Sequence, residues 1–251
     1  MKLAIASDLH LDFKDLPDDF FQEKADVLLL AGDTCESRHL KKFEKTFKRI
    51  CNHYKEVFLI CGNHEFYHNF YPDTLEEVEK FTSKFDNLFF LNNDVINLHG
   101  YRLIATTLWT DCNKRNPLTV DIVKDAVKDY KLIKVLDTRY HNLHPRDTIK
   151  LNDTNVKFIK EFLNYEKIII LTHHAPTLMG CHNDHGDYAY ASDLSDLILD
   201  NPRIKYWIHG HTHNSIEYFV GDCKVISNQR GYPSEEDLET YYSFTPKIIE
   251  I

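Results

Sequence analysis

The stretch Asp26-Val27-Leu28-Leu29-Leu30-Ala31-Gly32-Asp33 runs through five apolar residues without a polar break, then stops at a glycine and an aspartate. A strand with one wet face alternates apolar and polar residues. An unbroken run of this length belongs to a strand covered on both faces, as in a parallel sheet packed under helices. The same form recurs on either side. Residues 2–7 lead into Asp8, residues 56–61 into Gly62, residues 167–171 into Thr172, and residues 205–208 into His209.

Between these runs the apolar period changes to that of a helix. Leu40, Phe43, Phe47, Ile50 and Tyr54 predict one helix. Leu75, Val78, Phe81 and Phe85 predict a second, with Thr74 as its cap. Val156, Ile159, Phe162 and Leu163 predict a third opening at Asn152, and Leu194, Leu197 and Ile198 a short fourth capped by Ser192. Residues 88–91 and 101–109 predict further strands, and the alternation after Ile216 predicts antiparallel ones. Residues 111–150 are polar and mixed, with a helix around 119–130, and are read as an insertion or cap over one face. No repeat or linker divides the chain, so residues 1–251 are expected to form a single α/β domain.

Composition narrows the function. A 43% apolar share supports a sizeable core and excludes a disordered chain. The net charge of −9 opposes passive coating of nucleic acid, which is left possible only as a substrate. No apolar run approaches the roughly 20 residues that span a bilayer, and the apolar run before Asp8 is too short for a signal-peptide core. The six cysteines are scattered without a C-x-x-C pair and are read as reduced thiols of a cytoplasmic protein. The sequon at Asn152 is then a chance match.

Function is carried by the residues that end the strands. They are Asp8-Leu9-His10, Gly32-Asp33, Gly62-Asn63-His64-Glu65, His173-His174 and Gly210-His211-Thr212-His213. Ligands of open α/β sheets bind at the carboxyl ends of the strands, so five such ends converge on one crevice. Two carboxylates, an amide oxygen and several imidazoles then share a small volume, a grouping that bound cations make favourable. The D-x-H spacing predicts that Asp8 and His10 lie on one side of an extended chain. Glycines at 32, 62 and 210 let the backbone turn where a side chain would crowd the site.

This ordered set resembles the calcineurin-like metallophosphoesterases, through D-L-H at 8–10, G-D at 32–33, G-N-H-E at 62–65, T-H-H-A-P at 172–176 and G-H-T-H at 210–213. Residues 105–111 and 228–232 resemble a bacterial branch of that family, with Gln229 standing where that branch has proline, a departure expected to matter little. The resemblance implies two packed β-sheets flanked by helices, a four-layer αββα architecture. It implies one metal held by Asp8, His10 and His213, a second held by Asn63, His173 and His211, and Asp33 bridging them. His173 is preferred to His174 because the ligand directly follows the threonine. The implied reaction is hydrolysis of a phosphate mono- or diester by in-line attack of a hydroxide bridging two metal ions, with His64 as general acid kept protonated by Asp33 or Asp8. Ligands without thiolate suit Mn, Fe, Zn, Co or Ni.

His174, His185 and Arg230 are further candidates for contact with substrate, the last through a bidentate grip on phosphate. His182 shares the polar segment of His185. A nuclease or nucleotide phosphodiesterase and a protein phosphatase remain alternative readings. A metal-holding scaffold without activity is disfavoured because every ligand position is filled. His64-Glu65-Phe66-Tyr67-His68 also matches the H-E-x-x-H signature of zinc proteases, which needs both histidines on one face of a helix; Gly62 and Pro72 leave little room for one.

Overall fold

The unbroken apolar runs become the central strands of two sheets. The computed structural model describes residues 1–251 apart from 23, 137–139, 182–184 and 234–237. From edge to edge, the first sheet consists of Lys247–Glu250, Lys2–Ala6, Val27–Leu30, Glu56–Leu59 and Leu88–Phe90. All are parallel except Lys247–Glu250, which runs against Lys2–Ala6. The second sheet consists of Glu217–Val220, Cys223–Ser227, Ile204–His209, Ile168–Leu171, Tyr101–Ala105 and Asp94–Leu98, with its two edge strands antiparallel.

Alternation along the strands sorts the side chains into layers. Leu3, Ile5, Val27 and Leu29 of the first sheet meet Leu103, Ile169, Leu171 and Ile208 of the second in a core between the sheets. The intervening Ala4, Leu28, Leu30 and Val57 pack outward on Phe47 and Ile50 of the helix Glu44–His53 and on Val78 and Phe81 of the helix Asp73–Thr82. On the far side, Ile104, Ile168, Ile170 and Trp207 pack on Ile159 of the helix Pro145–Glu161 and Ile198 of the helix Ser195–Leu199. The result is the expected four-layer αββα arrangement, with both faces of both sheets covered.

Helix starts differ from the sequence expectation for local reasons. Thr74 does not cap; Pro72 stands before the helix and the Thr74 hydroxyl donates to the Phe70 carbonyl. The third helix begins at Pro145 under a capping box of His144 and Asp147, which leaves Asn152 buried mid-helix, donating to the Trp109 carbonyl. Ser192 is buried and accepts from the Asp111 amide instead of capping.

The segment 111–150 enters through Cys112–Arg115, where all four residues have positive φ. It continues through the helices Pro117–Ala126 and Asp129–Leu132. Its strands Lys134–Leu136 and Tyr140–Asn142 form a small third sheet with Phe70–Tyr71. The His68 amide also donates to the Leu132 carbonyl, so this segment is bonded to the loop that follows Asn63. We expect Ile169→Ala, at a fully buried position between the sheets, to cost about 2–5 kcal/mol, read as a lower midpoint in equilibrium urea unfolding.

Candidate metal centre

Each ligand-type side chain leaves the sheet within a few residues of a strand end. Asp8 and His10 follow Lys2–Ala6, Asp33 follows Val27–Leu30, Asn63 follows Glu56–Leu59, His173 follows Ile168–Leu171, and His211 and His213 follow Ile204–His209. Three groups have donor atoms within 4.8 Å of one another: Asp8, His10 and His213; Asp33, His173 and His211; and His10, Asp33 and His64. The first brings together the three residues expected around one metal; the second joins His173 and His211 to Asp33, and the Asn63 Oδ1 lies 2.9 Å from its His173 Nε2. Asp33 lies between the sets, 3.9 Å from His10 Nε2 and 3.4 Å from His173 Nε2.

The expected route to this gathering needs correction at Asp8 and His10. They are not on an extended chain: φ is 50° at Asp8 and 42° at His10. Asp33, His211 and His213 are also left-handed, with φ of 54°, 71° and 48°. Such non-glycine residues cost of order 1–3 kcal/mol each and persist only where the surroundings impose them.

Three glycines make the room. A Cβ at Gly32 would lie 2.5 Å from His173 Nδ1, and one at Gly210 would lie 2.6 Å from Asp8 Oδ2. A Cβ at Gly62 would collide with the Asp33 carboxylate.

A second layer holds the loops. The buried Glu65 accepts from the amides of Gly62 (2.7 Å), Asp33 (3.0 Å) and Thr34 (2.6 Å), joining the loops that carry Asn63 and Asp33. Gln229 accepts from the His213 amide and donates to Thr212 Oγ1 at 2.9 Å. Its side chain therefore holds the backbone at His213, one of the expected ligands. Asp129, from the segment 111–150, is buried and accepts from Asn63 Nδ2 at 2.7 Å and the Tyr67 hydroxyl at 2.8 Å.

The resulting pattern fits cations. His173 Nδ1 meets the Ala31 carbonyl at 2.8 Å, which makes it the donor and leaves Nε2 as a lone pair. Asn63 turns its amide nitrogen to Asp129, so its oxygen faces that lone pair. The His211 Nδ1 stands 3.1 Å from the same His173 Nε2, and an Asp33 oxygen 3.4 Å from it. The Asn63 and Asp33 oxygens thus face a nitrogen lone pair in a buried space, an arrangement a positive ion relieves. An imidazole that donates one nitrogen to a carbonyl and offers the other is also the usual form of a ligating histidine.

Charge agrees with geometry. Burial, then Glu65 and Asp8, push the Asp33 carboxyl well above its ordinary range. Burial, then neighbouring imidazoles, hold His10 and His211 well below theirs. Burial opposes ionisation of Asp8, but hydrogen bonding and charge from His213 outweigh it and hold the carboxyl low. His64 departs from expectation. Burial and then His173 bring it down to about 3, outweighing the pull of Asp8, so the side chain is neutral near pH 7 until further negative charge arrives.

A cavity of about 460 Å³ opens over the cluster, lined by Asp33, Asn63, His64, His211 and His213 and by residues 126–129 of the inserted segment. Its other walls include Tyr67, Tyr190 and Tyr232, and the Tyr232 hydroxyl lies 2.7 Å from His64 Nε2. The exposed Lys128 stands at the rim. His174 is buried behind His211, with ring centroids 4.3 Å apart. Arg230, expected to reach a phosphate, is instead spent on the carbonyls of Leu9, Lys14 and Asp15 and lies against the Tyr241 ring. His182 lies outside the described residues, and of His185 only the backbone, in the turn His185–Ala189, is described. The protease motif fails on geometry: the helical turn spans only His64–Phe66, Tyr67 is extended, and His68 turns out to Glu36.

Carboxylate, amide and imidazole groups gathered over the strand ends of a two-sheet α/β frame make a candidate metal site. The chain belongs to the calcineurin-like phosphoesterase family, whose profile matches residues 1–215. It is similar to the uncharacterized protein L509 of Acanthamoeba polyphaga mimivirus, 28% identical over 274 residues that cover 96% of this chain and 95% of the relative. Among solved structures, a phosphopantetheinyl hydrolase from Mycobacterium tuberculosis matches with a TM-score of 0.74 at 15% identity, covering 99% of this chain and 95% of that one. A dimetal phosphatase from Danio rerio matches with a TM-score of 0.55 at 14% identity, covering 90% and 86%. At these identities the likeness to solved structures is one of fold. Among the described residues, no helix is long and apolar enough to cross a membrane.

Sequence reasoning quoted Glu65 and Tyr232 inside motifs without giving them roles, and it missed Asp129, whose polar surroundings carry no signal. We expect Glu65→Ala to leave three buried amides unpaired, each worth roughly 1–3 kcal/mol. The total loss is expected to be at least about 3 kcal/mol, measured by denaturant unfolding of the metal-free protein.

Proposed function

We propose that the chain hydrolyses a small phosphate mono- or diester with the help of two metal ions. Asp8, His10 and His213 would hold one, Asn63, His173 and His211 the other, and Asp33 would bridge them. The observation that supports this most is the meeting of the Asn63 oxygen with the lone-pair nitrogen of His173, beside His211 and Asp33. The donor set lacks thiolate and suits Mn, Fe, Zn, Co or Ni. When bound, such ions would supply the positive charge that clamps phosphoryl oxygens and lowers the pKa of water toward ~7.

The chain's own groups would do the rest. His64 stands at the cavity wall, close to Asp33 but engaged by the Tyr232 hydroxyl, where a leaving oxygen opposite the incoming water would emerge. A phosphoryl dianion within about 4–6 Å favours the imidazolium form, so bound substrate would lead His64 to take up a proton from solvent, which it would then give to the leaving alkoxide. A cavity of about 460 Å³ lies within the size range of small-molecule sites. That size favours a small ester over the nuclease and protein-phosphatase readings.

Asp33→Asn is expected to abolish hydrolysis of a generic aryl phosphate and to lower the bound metal measured after desalting. For His64→Ala we expect unchanged metal content and a kcat lower by ~10²–10⁴-fold, the usual contribution of a positioned acid. Loss of metal from that variant would instead make His64 a ligand beside His10 and Asp33.

A further inference from the structure

We propose that Asp129, carried by the inserted segment, is a positioning residue that fixes the orientation of the Asn63 amide and thereby completes the second ion site. The inference rests on the metal centre proposed above and concerns how one of its members is held.

A ligating asparagine must present its oxygen, because its amide nitrogen carries only donors and repels a cation. Nothing in the covalent structure of Asn63 selects that orientation. The two ends of the amide differ by hydrogen bonding alone. Asp129 supplies the selection. Its Oδ1 is an acceptor and lies 2.7 Å from Asn63 Nδ2. With the nitrogen drawn there, the oxygen is left facing His173 Nε2 at 2.9 Å. The Tyr67 hydroxyl donates to the same Asp129 oxygen at 2.8 Å, so the carboxylate is itself held in place. Asp129 is buried, at the wall of the cavity.

The position of Asp129 is in turn set by backbone pairing. It opens the short helix Asp129–Leu132, whose last carbonyl accepts from the His68 amide. Two residues further on, Lys134 pairs with Phe70. The inserted segment is therefore attached to the 63–71 loop at both a side chain and the main chain. Groups behind a metal ligand typically contribute about 10–100-fold to metal affinity.

The test is a calorimetric titration of metal-free protein with Mn²⁺ alone, with the bound ions counted by mass spectrometry. Wild type is expected to take up two ions. Asp129→Ala is expected to bind one ion as wild type does and the second about 10–100-fold more weakly. Asp129→Asn is expected to restore the second ion, because both bonds end on one oxygen that an amide carbonyl can replace. If the alanine variant fails to fold, Asp129→Ser, too short to reach Asn63, takes its place. Wild-type affinity for both ions in folded Asp129→Ala or Asp129→Ser overturns the inference, as does an Asp129→Asn variant that still lacks the second ion. Failure of the wild type to take up any of Mn²⁺, Zn²⁺, Co²⁺, Ni²⁺ and Fe²⁺, each titrated in the same way, would overturn the metal centre itself, a result distinct from either of these.

Discussion

The structure is organised around a place where hydrogen-bond acceptors and buried carboxylates are forced together. Asp8, Asp33, Asn63 and His173 are almost wholly removed from water. Burial should disperse such groups, because an unpaired buried charge is among the costliest features a fold can carry. They are kept together by covalent attachment to strands that the cores on either side hold rigid. The apolar layers therefore do more than stabilise the chain: they hold in place an electrostatic deficit that only positive charge can offset.

The deficit is shaped by residues that touch no cation in the proposed centre. Glu65 ties the loops of Asn63 and Asp33 through three amides. Gln229 holds the amide of His213, and Asp129 reaches in from the inserted segment to the Asn63 amide. Each acts on the backbone or the far end of a ligand side chain, so a small set of polar bonds carries the accuracy of the whole cage. The wall of the cavity and its floor share these bonds, since the segment that lines one side at 126–129 also supplies Asp129.

Much of this was legible in the sequence because it follows from period and position. Buried parallel strands read as apolar runs, and residues 27–31 could scarcely be anything else. The glycines before Asp33, Asn63 and His211 marked where the chain turns into the site. What could not be read was anything set by a partner distant in sequence. Arg230 looked like a phosphate grip, but its guanidinium is committed to the carbonyls of Leu9, Lys14 and Asp15. The ionisation of His64 depends on how completely neighbouring elements exclude water, which spacing does not encode. Helix starts slipped for a local reason: His144 and Asp147 cap a helix well before the apolar face that is readable from Val156 onward.

The left-handed backbone at five of the seven proposed ligands means that these positions serve chemistry against the interest of folding. Glycine at His10, His211 or His213 would relax the main chain there. A descendant released from selection for catalysis would thus find sturdier sequences close at hand, and drift at these sites would be a downhill walk.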